Sequence, residues 1–173
     1  FGGFTATSAQ DTQSTGLQSF NSDGVTLGSA LYENGDGSIA GGSEYSLWSF
    51  RKAPGFFDVV AYTGNGSTQN ISHSLGSEPG MMFVRKRSGT GSWYVYHRSQ
   101  GGTKRAILNS GAEFYTSSST WNNTAPTSTV FTVGNDTGTN QEDETYIAYI
   151  FAHNDASFGT DSDEVIIKCG SYT

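Results

Sequence analysis

The residues best suited to recognition chemistry lie between Met81 and Arg98. Residues 92–98 read Ser-Trp-Tyr-Val-Tyr-His-Arg, and strand alternation sets Trp93, Val95 and His97 on one face and Tyr94, Tyr96 and Arg98 on the other. Arg85 and Arg87 close the apolar run that precedes them. Rings and guanidiniums together are what a sugar or an anionic polymer would meet, by stacking and cation–π contact. The plainer expectation, which the pattern favours, has Trp93 and Val95 filling a core while Tyr94 and Tyr96 cover the sheet or a contact between subunits.

Catalytic signatures are missing. His73 lies in a Gly- and Ser-rich turn, His97 on the aromatic run and His153 just after another run. None belongs to a nucleophile elbow or a zinc-binding helix, and no glycine-rich loop opens a helix. Glu33-Asn34-Gly35-Asp36-Gly37 and Asp161-Ser162-Asp163-Glu164 offer oxygen ligands of the kind calcium accepts. Neither completes a twelve-residue loop with a terminal bidentate glutamate, so both read as solvated loops. The single cysteine, Cys169, excludes an internal disulfide and a cysteine-based zinc cage. No enzyme activity, cofactor or metal is expected. Sequons at Asn65, Asn70, Asn122 and Asn135 are no more than chance supplies in so Ser- and Thr-rich a chain.

The elements that would position these residues are strands. Gly24–Gly28, Tyr45–Phe50, Phe57–Tyr62, Met81–Arg87, Ser92–Arg98, Arg105–Leu108, Thr129–Val133, Thr145–Phe151 and Glu164–Cys169 are short runs rich in aromatic and β-branched residues. Gly, Asn, Asp and Ser clusters bound them. No window carries sustained helical periodicity. The pattern predicts an all-β, antiparallel β-sandwich of jelly-roll or concanavalin-like type, with little or no helix.

Composition agrees. The 173 residues are 34% hydrophobic, and counting the 23 glycines brings apolar usage to about 47%, enough for a core. Charged residues make up only 14%, while Ser and Thr together number 44. That surface suits an extracellular or virion-exposed protein. No apolar run approaches a membrane span, and the opening Phe1 suggests a processed protein or a segment of a longer one. The net charge of −7 is uneven. Residues 1–50 carry five acids and no base, residues 51–105 eight of the nine bases, and residues 106–173 nine acids against Lys168. Such a distribution allows head-to-tail complementarity between units. An acidic chain with one basic cluster argues against nucleic acid as a partner.

An internal repeat is the most informative feature. Val25–Gly28 matches Phe131–Gly134, Tyr45–Phe50 matches Tyr146–Phe151, and Val59-Val60 matches Ile166-Ile167. Residues 1–54 read as the C-terminal part of one repeat unit, 55–154 as a complete unit, and 155–173 as the first strand of a further one. The alternative is one closed sandwich over 1–173 built from two related halves.

Several runs resemble a repeated module of bacteriophage tail, collar and fibre proteins. The run Phe57–Gly66 (Phe-Asp-Val-Val-Ala-Tyr-Thr-Gly-Asn-Gly) is similar to that module's opening strand. Met82–Arg87, Trp93–Arg98 and the Gly101–Lys104 turn follow in the module's order. Phe20–Gly28 and, degenerately, Thr127–Gly134 resemble its next run, and Tyr45–Ala53 and Tyr146–Phe151 its closing strand. Ala152-His153 and Lys168-Cys169 depart from the pattern. The resemblance implies a concanavalin-like sandwich that serves as a building block of a virion appendage, with no catalytic residues. The expected role is therefore structural and non-enzymatic, in an extracellular virion part. It would act through other virion proteins and a homo-oligomer, with a trimer as one form, and without membrane or nucleic acid. The alternatives are a module that recognises a bacterial surface glycan through Trp93, Tyr94, Tyr96, His97, Arg98, Arg85 and Arg87, and a capsid decoration protein.

Overall fold

The computed structural model describes residues 7–10, 14–29, 47–155 and 157–170. Of these, 14–29 and 47–49 belong to one compact unit, and 7–10, 50–155 and 157–170 to another.

The first unit's described strands are β1 (Leu17–Phe20) and β2 (Val25–Leu27), an antiparallel hairpin. Its turn is closed by Asn21 N–H to Gly24 O at 2.8 Å and by Asn21 Nδ2 to Thr26 Oγ1 at 2.9 Å. Asn and Asp side chains bond locally in this way, which favours a turn at Asn21–Gly24. The hairpin has little core of its own, since Phe20 and Leu27 are exposed.

The second unit contains β3 (Phe57–Thr63), β4 (Gln69–Ser72), β5 (Met81–Lys86), β6 (Trp93–His97), β7 (Lys104–Ile107), β8 (Tyr115–Thr116), β9 (Val130–Val133) and β10 (Thr145–Phe151). A single helical turn, α1 (Thr137–Asn140), sits between β9 and β10. Six strands form one antiparallel sheet in the order β3-β10-β5-β6-β7-β8, and β4 pairs antiparallel with β9 in a second. The fold is therefore all-β, an antiparallel sandwich.

The core fills the space between the two sheets. Register aligns Tyr62, Tyr146 and Lys86, then Val60, Ala148, Val84 and Tyr94, then Asp58, Ile150, Met82 and Tyr96. These inner-face rows pack on Ile71, Phe131 and Val133 of the small sheet, with Leu75 and Trp121 joining from loops. Each large side chain removed from water here contributes roughly 1.5–3 kcal/mol. Tyr62 and Tyr146 stack at 5.3 Å, and their hydroxyls donate to Thr139 O and Thr137 O, which anchors α1 to the sheet. Burial pushes the Tyr62 phenol well above its ordinary range, and the Tyr146 phenol also up.

The outer face of the large sheet is also apolar. Phe57, Trp93, Val95 and His97 are buried there, and Phe83, Tyr149 and Phe151 are half-buried. Phe57 and Phe151 lie 4.9 Å apart, and Trp93 and Tyr149 5.9 Å.

Two expected strands are absent from the described residues. Residues 47–50 have no strand structure, and Tyr45 and Ser46 lie outside the description. The Glu164–Cys169 run makes only a bridge between Phe158 and Glu164.

Candidate functional site

Each of the seven residues expected to form a recognition surface has a defined place. Tyr94 and Tyr96 face the inner core, with Tyr96 edge-on to Trp121 at 6.1 Å. Trp93, Val95 and His97 lie on the outer face. The expectation that Trp93 and Val95 are buried holds, but the tyrosines do not cover the sheet, because Tyr96 is buried in the inner core and Tyr94 packs against it. Both faces are covered, so Trp93 is buried as well.

Arg85 pairs across from Trp93 on the outer face, its guanidinium 5.0 Å from the indole centroid. It donates to Ser8 O, while its Nε has no hydrogen-bond partner. Burial pushes the nearby Tyr149 phenol up, against the pull of Arg85 and Arg87. Arg87 lies just past β5, with its Nε on Gln10 Oε1 at 2.5 Å. Arg98 follows β6 at the opposite end and is exposed. The structure therefore joins Arg85 with Trp93, separates both from Tyr94 and Tyr96 by the sheet, and puts Arg87 and Arg98 at opposite ends.

A second constellation was not singled out by the sequence. Arg105 of β7 projects on the inner side at the sheet's edge. Its guanidinium lies between the rings of Tyr94, at 4.8 Å, and Tyr115, at 5.1 Å. It donates to Asp136, to Thr120 Oγ1 at 3.0 Å and, through Nε, to Tyr115 Oη at 2.8 Å. Asp136 also accepts from Thr120 Oγ1 at 3.0 Å and, as the N-cap of α1, from Gly138 N at 2.8 Å. Ser117 and Ser119 add hydroxyls to the same cluster. Gly138 is required here because any β-carbon would strike the Tyr94 ring. Burial raises the Tyr94 phenol, Asp136 adds to the rise, and Arg105 opposes it. The one cue in the sequence is that Arg105 is the last base of the basic stretch. Nothing local ties it to Asp136, 31 residues on.

His97 Nδ1 lies 2.8 Å from Ser99 Oγ, but its Nε2 is buried without a partner, so no third group orients the ring as a nucleophile's base requires. His73 Nδ1 accepts from Leu75 N at 3.2 Å, so its Nε2 carries the proton toward Thr127 O at 3.2 Å. Burial lowers its pKa, against the opposing pull of Thr127 O and the Asp58 carboxylate. Asp58 is a buried carboxylate held by Lys52 at 2.7 Å, Ser74 N at 2.6 Å and Val59 N at 2.7 Å. Burial alone would raise it, and these donors together hold it below the usual range. Among the described residues no three His, Cys, Asp or Glu side chains converge as a metal would require. No described helix is long and apolar enough to cross a membrane.

Fold and site together define an all-β sandwich module whose polar clusters are locked into its own scaffold. A family model described as a domain of unknown function, DUF7483, matches residues 4–160, and the chain belongs to that family. No curated protein and no solved structure matches the chain.

Proposed function

We propose that the chain is a structural, non-enzymatic module of a bacteriophage virion appendage (tail, collar or fibre) that acts through protein–protein assembly. The observation that carries this reading is the exposure of Leu47 and Trp48 in the first unit and, in the second, of Phe50, Val165 and Ile166, although the second unit's own core is filled. Large apolar side chains left at the surface in two short segments mark contact sites. A surface with few charges and few lysines has little side-chain entropy to lose when neighbours pack. The resemblance of Phe57–Gly66 and the runs after it to phage appendage modules supplies the setting. Gold-labelled antibody against the chain should mark a discrete appendage on the particles that carry it. Particles without label would contradict the reading, and label spread over the capsid would favour a decoration protein.

Glycan recognition is the second reading, and one observation favours it. Tyr115 is a partly exposed ring beside Arg105, Asp136 and two serine hydroxyls, a combination that sugars stack on and bond to. A glycan array with the intact chain and with Tyr115→Ala tests it. Binding lost in the variant would support it, and no binding by either would remove it.

A further inference from the structure

In the second unit β10 and β3 are antiparallel neighbours, with Tyr149 opposite Val59. Their pairing extends past β10, where Ala152 N donates to Phe56 O at 2.9 Å. The repeat makes residues 47–51 the counterparts of 148–152, and residues 163–167 the counterparts of 56–60. Among the described residues the counterparts have no strand partner, apart from the bridge of Glu164 to Phe158. Leu47 and Trp48 are 53% and 80% exposed, and Val165 and Ile166 41% and 52%, whereas Ala148 and Ile150 are wholly buried.

Carrying the observed register across sets Trp48 opposite Ile166, Ser49 opposite Val165, Phe50 opposite Glu164 and Arg51 opposite Asp163. Of the four pairs, Trp48 meets Ile166 as apolar against apolar and Arg51 meets Asp163 as base against acid. The backbone is open for this. Glu164 bonds Phe158 through one edge and Ile167 O accepts from Asn154 N, but no described backbone group bonds Asp163 or Val165. These two are the positions whose counterparts, Phe56 and Asp58, bond β10 in strand alternation.

We infer that the 48–51 segment of one copy pairs antiparallel with the 163–166 segment of a second copy, reproducing between chains the β3–β10 contact. This rests on the assembly reading and names its partner. Each copy offers one segment of each kind, so the contact is heterologous and either closes a ring or propagates a filament. The edges are short, and the side chains supply the selectivity.

The test is a Phe50→Cys/Glu164→Cys chain with Cys169→Ser, which keeps the Trp48–Ile166 contact, oxidised gently and run without reductant. The paired positions are of the non-hydrogen-bonded kind, with Cα atoms about 4.5 Å apart, which suits a disulfide. A ladder of covalent multimers is expected, and mixing the two single variants should stop at a dimer. Uncrosslinked chains, or a bridged monomer of faster mobility, would overturn the proposal. Arg51→Asp should lower the crosslinking yield about fivefold, and adding Asp163→Arg should restore it. Failure to restore would also overturn the register. Light scattering on the unmodified chain separates the two levels. Multimers that do not crosslink overturn this pairing and leave assembly standing, whereas a monomer at every concentration overturns both.

Discussion

Val25–Leu27 and Leu47–Phe50 share a pattern with Phe131–Val133 and Tyr146–Phe151, yet the two sets have opposite fates. In the second unit Phe131, Val133, Tyr146, Ala148 and Ile150 are wholly buried. In the first, Leu27, Leu47 and Trp48 are exposed. The difference lies in the neighbours. β10 is flanked by β3 and β5, and β9 by β4, all from residues 57–86. Among the described residues, Val25–Leu27 pairs only with β1, and residues 47–50 pair with no strand. A strand pattern is an offer of one face and two edges, and it becomes a core only where other strands accept it.

Substitutions at matched positions sharpen this contrast. Phe131→Ala should cost about 3–5 kcal/mol in urea unfolding, because it opens a cavity in a packed interior. Val25→Ala should stay within about 1 kcal/mol. Equal losses would mean that the two segments are packed alike. Asp58→Asn should cost about 2–3 kcal/mol, since the amide turns a donor toward Ser74 N or Val59 N and releases Lys52. Val165→Asn, at the counterpart of Asp58, should change monomer stability by no more than about 0.5 kcal/mol. Gly138→Ala should cost about 1–3 kcal/mol by pressing on Tyr94, and thermal unfolding of the variant reads it.

The smallest effect is in pH. His73 folds neutral with a lowered pKa, so its contribution is fully present above about pH 6.5 and is lost as pH falls through the folded value. His73→Gln should flatten the slope of stability against pH below about 6.5. An unchanged slope would place the acid sensitivity elsewhere, with Asp58 next in line as a carboxylate whose lowered pKa is lost at still lower pH.

Much of the second unit was legible in sequence. Thr145–Phe151 became β10 at the same boundaries, and β3, β5, β6, β7 and β9 fell within two residues of the expected runs. β4 escaped because Gln-Asn-Ile-Ser carries one apolar residue, Ile71, and that residue is enough once it lies opposite Phe131. Residues 47–50 and 164–169 read as strands because composition records propensity and not partners. The faces of β6 could not be assigned, since alternation separates inside from outside only when one face is wet. The Arg105–Asp136 cluster was invisible for a different reason. Its members come from β7, the loop before β9 and the cap of α1, and only the fold brings them together.

Assembly is the central claim, and sedimentation equilibrium of the unmodified 173-residue chain tests it most directly. The average mass should rise above 18.4 kDa with concentration, and Leu47→Ser/Trp48→Ser should return it to a single chain without loss of monomer stability. A mass of 18.4 kDa at every concentration would contradict the account.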